Sequence, residues 1–272
     1  MSNEPTASSD STDVPDDIFR KEAGGAPFGY TTWEAAGLLW LTEPEKGGGA
    51  RVVRVRDVET THLDLEKLTA VPPTNFQADA FGAALAQTHA AGADAFGAPP
   101  ARWTSHGFLG PAIAPLPLPL NPTASWGEFY AEQRIMHTFG LGLQAGTWEA
   151  SDAAPFEAVA KRLTSGEFDD DRPPARIHGD LWTGNVLWTR DGGVLIDPAA
   201  HGGHAETDLA MLILFRGPHV ARIIAAYDEA APLVDGWQER IPLHQLHPVM
   251  LHAVLFGGGY IEQAAELAKH YS

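Results

Sequence analysis

The sequence predicts an α+β molecule of two lobes, a small and shortened β-containing first lobe and a larger, mainly α-helical second lobe. Three observations predict it. Short alternating segments, Ile18 to Lys21, Val52 to Arg56 and His62 to Leu65, surround one helix-patterned stretch near the start. After Pro72-Pro73 the apolar residues recur at helical spacing for most of the remaining chain. A single β-rich island, from Ile177 to Asp197, interrupts those helices. Side chains alternate across a strand and return every 3.6 residues on a helix, so the change of period marks a change of architecture.

Residues 1 to 17 are rich in Ser, Thr, Pro and Asp and are expected to form a flexible acidic tail, because they offer little apolar surface to offset their ordering entropy. Ser8, Ser9 and Ser11 lie there without the His or glycines that nucleophilic serine chemistry needs. Ile18 to Lys21 reads as a strand, and Gly24 to Gly29 as a loop. From Thr32 to Leu41 the residues Trp33, Ala36, Leu39 and Trp40 repeat at helical spacing, with Thr31 or Thr32 as N-cap and Glu34 in the first turn. Two strands, Val52 to Arg56 and His62 to Leu65, then flank Asp57 to Thr60. Residues 18–68 are expected to be the small first lobe, and 69–272 the mainly helical second lobe. A helix from Phe76 to Ala91 places Phe81, Leu85, Thr88 and His89 on one face. Residues 92–123 are crowded with Gly and Pro and read as a turn-rich connection, either a binding loop or a spacer. Further helices are expected over Ser125 to Phe139, Ala153 to Thr164, Thr207 to Phe215, His219 to Ala230 and Leu243 to Lys269.

Composition narrows the function. The chain has 272 residues, is 44% hydrophobic and carries a formal net charge of -17. With 18 Lys and Arg against 35 Asp and Glu, it lacks the cationic surface that counterion release from nucleic acid or an anionic membrane requires. No apolar run approaches the roughly 18 residues of a membrane span, and the first residues lack a signal-peptide pattern. Absence of cysteine excludes thiolate chemistry and Cys-ligated zinc. The expectation is a cytoplasmic monomer with neither nucleic-acid nor membrane partner.

The most informative segment is His178-Gly179-Asp180-Leu181-Trp182-Thr183-Gly184-Asn185, followed by a run ending at Asp197. Asp180 precedes Asn185 by the separation found in the catalytic loop of protein kinases, where the acid takes a proton and the amide holds a metal. The apolar segments Asn185 to Trp188 and Gly193 to Ile196 flank Thr189-Arg190-Asp191-Gly192, so a hairpin should fold Asp197 back toward Asn185. Transfer of a terminal phosphoryl group needs charge neutralisation, and a carboxylate beside an amide oxygen suits Mg2+. Alone, either Asp180 or Asn185 reads equally as a turn residue; together with the hairpin and Asp197 they read as a phosphoryl-transfer centre using ATP and Mg2+.

Such a centre needs a cation on the nucleotide phosphates, held by an acid on the next helix. Lys21 and Glu34 fit those roles, and Lys46 and Lys67 are the weaker candidates. No glycine-rich hairpin precedes Lys21, and no Walker sequence is present. Either Gly24-Gly25 and Gly29 partly substitute, or the nucleotide is covered less completely than in a protein kinase.

With those residues read, the chain closely resembles the fructosamine kinase (ketosamine-3-kinase) family, relatives of the aminoglycoside and choline phosphotransferases with a bilobal, protein-kinase-like fold. The resemblance runs over about residues 18–270. It rests on HGDLWTGNVLW, on VLIDPAAHGGHAETDLAMLILF, and more weakly on FLGPAIAPLPLPLNPTASWGEFYAEQR and TTWEAAGLLWL. It implies that Asp180 is the general base, that Asn185 and Asp197 bind Mg2+, and that Lys21 with Glu34 holds the ATP phosphates. It implies too that the adenine meets backbone groups of Leu65, Glu66 and Lys67. The acceptor would be a ketoamine, either a small molecule or a glycated protein lysine. Phosphorylation at the sugar 3-hydroxyl would then make the adduct decompose and release the amine. Another small-molecule phosphotransferase and a nucleotide-binding pseudokinase are the competing readings.

Trp182, close after the base, is expected to stack on a sugar, whereas Trp188 suits the core. His201 is expected to hydrogen-bond a sugar hydroxyl. His201, His204, Glu206 and Asp208 together could suggest a metal site, but Gly202-Gly203 makes that segment a loop and favours a structural role. Asp208 is expected to cap the following helix or brace the catalytic loop, and His178 to orient that loop.

Overall fold

The computed structural model describes residues 14–272. Most of the expected flexible tail, with its serines, therefore lies outside the described residues.

The first strand, β1 (Ile18–Glu22), is followed by helix α1 (Tyr30–Thr42). That helix starts earlier than the apolar spacing predicted, from Gly29 in a left-handed conformation (φ 89°). Thr31 therefore lies inside it, donating its hydroxyl to Glu59 O (2.7 Å), and Glu34 lies beyond the first turn. The expected Thr cap and the first-turn position of Glu34 both fall away. Strands β3 (Val55–Val58) and β4 (His62–Glu66) complete a three-stranded antiparallel sheet in the order β1-β4-β3.

The strand expected over Val52 to Arg56 is divided. Its first part, β2 (Arg51–Val52), pairs parallel with a strand of the catalytic hairpin, whereas β3 pairs with β4. One segment thus serves two sheets and ties the small lobe to the large one. Further ties are Val53 N to Leu195 O (3.0 Å) and Val71 N to Trp188 O (2.8 Å).

Helix α2 (Asn75–Ala90) opens with a full capping box between Thr74 and Gln77, which relieves two otherwise unpaired amides. It packs against α7 (Val220–Ala230) at Gly82, where a β-carbon would stand 2.2 Å from Ile223 O. Residues 92–123 contain a hairpin that the Gly and Pro content concealed, β5 (Gly107–Leu109) with β6 (Leu116–Leu118). Pro117 falls opposite Phe108 in a two-stranded ribbon, where a missing amide is tolerated.

Ser125 caps α3 (Trp126–Tyr130), which continues through a π-helical turn (Ala131–Met136) into α4 (His137–Ala145). Helix α5 (Ala153–Thr164) matches its expected bounds. Strand β7 (Ala175–Ile177) enters the catalytic segment and pairs with β10 (His201–Gly203), and between them lies the hairpin of β8 (Val186–Thr189) and β9 (Gly192–Leu195). Helix α6 (Ala205–Phe215) follows. The single helix expected over Leu243 to Lys269 is two, α8 (Trp237–Phe256) and α9 (Gly259–His270), broken where Gly257 and Gly258 take φ of 64° and 62°. The run Gly257-Gly258-Gly259 was the signal, because glycine at positive φ commonly ends a helix.

One buried cluster joins α1, the small sheet, α2, the catalytic hairpin and α7 through Leu38, Val52, Leu65, Phe81, Leu195 and Ile223. A second lies within the helical lobe around Phe129, Ile135, Phe156, Leu246 and Met250. Among the described residues no helix is long and apolar enough to cross a membrane.

Candidate active site

The catalytic segment leaves β7 in a tight loop. Gly179 takes a φ of 81°, and a β-carbon there would stand 2.2 Å from Ala199 O. Only glycine fits the turn without strain. Asp208, fully buried on α6, accepts from His178 N (2.7 Å) and Gly179 N (2.9 Å) and faces His89 Nε2 at 3.1 Å. Burial alone would raise that carboxyl, but His89, His178 and the backbone amide hold it below its ordinary value. Of the two roles expected for Asp208, the brace is the one it occupies; the helix is capped by His204, whose Nδ1 accepts from Glu206 N at 3.1 Å. His178 Nε2 donates to Ile196 O (2.9 Å) while its Nδ1 accepts from Asp180 N (3.3 Å). With both nitrogens engaged, the neutral ring fixes the loop to the end of the hairpin.

The hairpin brings the second acid back, with Ile196 N donating to Asn185 O (3.1 Å). Asn185 Nδ2 donates to Asp180 O (2.8 Å) and Asp180 Oδ2 (3.1 Å), which leaves its amide oxygen free of those contacts. Asp197 has a φ of 54°, unusual for a residue with a β-carbon, and Lys21 Nζ donates to its Oδ1 at 2.9 Å. Lys21 also donates to both carboxylate oxygens of Glu34 (2.9 and 2.8 Å). Burial works against the Lys21 charge, but Glu34 and Asp197 outweigh it and hold the ammonium above its ordinary value. Asp180 is pushed up to about 6, first by burial, against the pull of the Asn185 hydrogen bond.

Three cavities adjoin here through shared lining residues. The central one, about 310 Å³, is lined by Lys21, Glu34, Asp180, Asn185, Asp197 and Trp182. On one side, an apolar cavity of about 310 Å³ shares Lys21 and Asp197 with it and lies between Val53, Leu65, Leu187 and Ile196. Glu66 and Lys67 border that cavity, yet Glu66 N already donates to Arg54 O and Lys67 N to Asp17 O, each at 2.8 Å. Their amides are spent, and the adjoining amide of Leu68 carries no backbone bond among the described residues. On the other side a cavity of about 230 Å³ shares Asp180 and Trp182. Trp182, 41% exposed, lies over Gly184, where a β-carbon would meet the indole at 2.1 Å.

His201 lines none of these cavities. It is buried, its Nδ1 donating to Ala199 O (2.7 Å) and its Nε2 accepting from the Arg134 guanidinium (3.0 Å). Burial first, then Arg134, depress it to about 3. A neutral ring with both nitrogens engaged has none left for a sugar hydroxyl, so the expected substrate contact is corrected to a structural one. From the π-helical turn Arg134 also donates to Pro119 O at 3.0 Å. Trp188 packs edge-on to Phe81.

His204, Glu206 and His244 do converge, with ligand atoms within 4.8 Å of one another. Yet His204 uses Nδ1 for the helix cap and Nε2 for Asp170 (3.2 Å), and Arg240 holds Glu206 at 2.9 and 2.5 Å. The cluster is an ion-pair network that anchors α8 to α6. Residues the sequence reading missed include Tyr30, which lines the central cavity and donates to Gly110 O (3.1 Å), and the Leu109-Gly110-Pro111 edge of the β5–β6 hairpin. The FLGP run was visible in the sequence, but nothing in it located the hairpin beside Asp180.

A protein of Thermobifida fusca YX-ER1 assigned as a fructosamine-3-kinase superposes with a TM-score of 0.81 at 43% identity, covering 93% of this chain and 85% of that one. A choline kinase of Streptococcus pneumoniae (TM-score 0.58, 14% identity) and the ADP-bound aminoglycoside phosphotransferase APH(2'')-Ib (0.52, 11%) share the fold. Those neighbours make the fold bilobal and protein-kinase-like. Among curated proteins, a Synechocystis sp. protein assigned as a ketoamine kinase is 36% identical over 69% of this chain. One from Vibrio parahaemolyticus, with the same assignment, is 35% identical over 68%. The chain spans about three-fifths of their lengths, 60% and 59%. The family model for fructosamine kinase matches residues 29–271, from the loop before α1 through α9, and with the catalytic segment inside that span this chain belongs to the fructosamine kinase family.

Proposed function

We propose that the protein is an ATP-dependent kinase that phosphorylates the sugar 3-hydroxyl of ketoamines, small or attached to a protein lysine. The observation that carries this reading is the position of Asp180, between an apolar cavity with a cationic end and a cavity open to an acceptor. In this reading residues 18–68 form the nucleotide lobe and 69–272 the helical lobe. The adenine lies between Val53, Leu65, Leu187 and Ile196, with the Leu68 amide as its backbone donor. Lys21, fixed by Glu34, holds the phosphates.

The Asn185 amide oxygen and the Asp197 carboxylate form a hard-oxygen donor set of the kind that suits Mg2+. When bound, that ion would neutralise charge on the β- and γ-phosphates. Asp180 orients the acceptor hydroxyl and takes its proton as the oxygen attacks the γ-phosphorus and the bond to the β-phosphate oxygen breaks. Trp182 offers the aromatic face against which a sugar ring packs. The 3-phosphorylated adduct then decomposes, releasing the amine. An aminoglycoside acceptor is disfavoured, because a polycation would meet a single carboxylate, Asp180, in the outer cavity.

Coupled measurement of ADP release with fructosyl- and ribulosyl-lysine, kanamycin and choline tests the proposal, with phosphorus NMR of the product. Turnover on a ketoamine giving a sugar 3-phosphate is expected. Turnover on kanamycin or choline alone would sink it.

A further inference from the structure

No glycine-rich hairpin precedes Lys21 in the sequence, and the segment that borders Asp180 comes instead from the opposite lobe. Gly24, Gly25 and Gly29 line none of the three cavities. The turn after β5 lines two of them: Leu109, Gly110 and Pro111 border both the central cavity and the outer one, as do Asp180 and Trp182. The turn thus stands where the nucleotide side and the acceptor side meet, beside the carboxylate on which they converge. From Gly107 to Leu118 every residue of the hairpin is apolar or glycine, so its side chains offer water no partner.

What holds this turn is α1, the helix that also carries Glu34. The Tyr30 hydroxyl donates to Gly110 O at 3.1 Å, and Trp33 Nε1 donates to Phe108 O at 2.9 Å. Trp33 is 2% exposed, and a β-carbon at Gly107 would stand 2.5 Å from its ring, so β5 lies directly on the helix. Gly110 itself has a φ of 93°, which a residue with a β-carbon adopts only under strain. Burial first raises the Tyr30 phenol above its ordinary pKa, with Lys21 opposing and Glu34, Asp197 and Asp180 adding to the rise. The hydroxyl therefore stays a protonated donor, within the field of both the phosphate clamp and the base.

Taking the reaction to be phosphoryl transfer from ATP, as proposed above, we infer that the Gly110-Pro111 turn covers the transferring phosphoryl group, and that Tyr30 is a positioning residue that latches this cover to α1 and keeps water from the acceptor's place. In transfer, the bond from the γ-phosphorus to the β-phosphate oxygen breaks and one forms to the acceptor oxygen, whose proton passes to Asp180. Water in the same position forms the same bond, gives its proton to the same carboxylate and yields ADP and inorganic phosphate. Asp180 by itself does not tell the two oxygens apart. Discrimination falls to groups that exclude a molecule as small as water, and an apolar turn fastened to the opposite lobe is such a group. The same helix fixes Lys21 through Glu34, so cover and clamp share one support.

Tyr30→Phe keeps the ring and removes the donor, and partition between transfer and hydrolysis tests the role. ADP release by the full chain is measured with ATP and Mg2+, first without acceptor and then with fructosyl- and ribulosyl-lysine, the ketoamine phosphate being counted by phosphorus NMR. Tyr30→Phe should raise acceptor-free ADP release about fivefold, and the ratio of ADP to ketoamine phosphate with it, while KM for ATP changes by less than about twofold. Gly110→Val, which strains the turn itself, should act in the same direction, and amide hydrogen exchange over residues 107–118 should quicken in both variants. Unchanged hydrolysis in a folded Tyr30→Phe protein would overturn the cover. A fall in transfer without a rise in hydrolysis would do the same, since that is the mark of a merely structural contact. Absence of turnover on both ketoamines would overturn the substrate reading alone, because acceptor-free hydrolysis still decides the cover. No ADP release by parent or variant under any condition would overturn both. If Gly110→Val does not fold, Tyr30→Phe decides alone.

Discussion

The loop that carries Asp180 and the clamp that carries Lys21 face each other across the cleft, and they are held in opposite ways. The loop is braced by directional bonds made in the interior: two amides on Asp208, one imidazole bridging Ile196 O and Asp180 N, and an amide on Asp180 itself. The clamp is held by the charge-assisted hydrogen bonds of a single ammonium, with the Lys21 side chain 25% exposed, its Asp197 partner 43% and only Glu34, at 7%, in the interior. Lys21 also sits on an outer strand of the small sheet, paired among the described residues with β4 alone. The contrast follows from how rigid each part has to be. In the roles proposed for them, a base at Asp180 must meet a hydroxyl within about a few tenths of an ångström, whereas phosphates at Lys21 are held by charges that tolerate exchange of partners.

The contrast can be broken most sharply at the base. Asp180→Asn is expected to lower kcat by about 10³-fold while leaving nucleotide affinity close to that of the parent, since the amide keeps the shape but cannot take the proton. Turnover within a few-fold of the parent, read beside calorimetric ATP binding, would remove Asp180 from the role of base.

Next comes the brace. Asp208→Ala strips a buried acceptor from two amides and from His89, and should cost about 3 kcal/mol in urea unfolding, with activity falling in step. An unchanged midpoint would mean that the loop holds its own shape. The clamp should respond differently. Lys21→Met is expected to raise KM for ATP by about tenfold or more with little loss of stability, because Glu34 can take up a proton once its cation is gone. Burial already pushes that carboxyl above its ordinary value. A stability loss as large as that of Asp208→Ala would put the clamp and the brace in one class.

The smallest effect sharpens the comparison through pH. Asp180 lies at about 6, so it is ionised above that value and protonated below it. As pH falls through about 6 the base is lost, and kcat/KM should decline by about tenfold per unit. A profile flat to pH 5, measured with the protein still folded, would argue against a titrating base there.

Local chemistry was legible where neighbours in sequence are neighbours in space. Asp180 and Asn185 share one loop, and the Asp-Gly turn returns Asp197 to them within a short hairpin. Helix α5 needed only its own periodicity. What failed depended on partners elsewhere. The segment 52–56 looked like one strand until two sheets divided it, and His201 looked available until Arg134 and Ala199 took both its nitrogens. Glu66 and Lys67 border the apolar cavity as expected of backbone partners, but their amides are taken by Arg54 O and Asp17 O, which no local pattern announces.

The chemical repertoire is carried by residue type and spacing: two acids and an amide at kinase-like separation, a Lys with its Glu, an acidic composition without cysteine, and the strand-to-helix switch that marks two lobes. Those are properties of residue type and short-range periodicity, which the chain carries before it folds. Which of those groups are free to act is settled by long-range packing. It directed Asp208 to the loop, sealed His201 in the interior, and set Gly110, Phe215 and His252 beside Asp180 from segments far apart in the chain. Availability depends on burial and on competing partners, and both are fixed by contacts between residues that no local pattern relates.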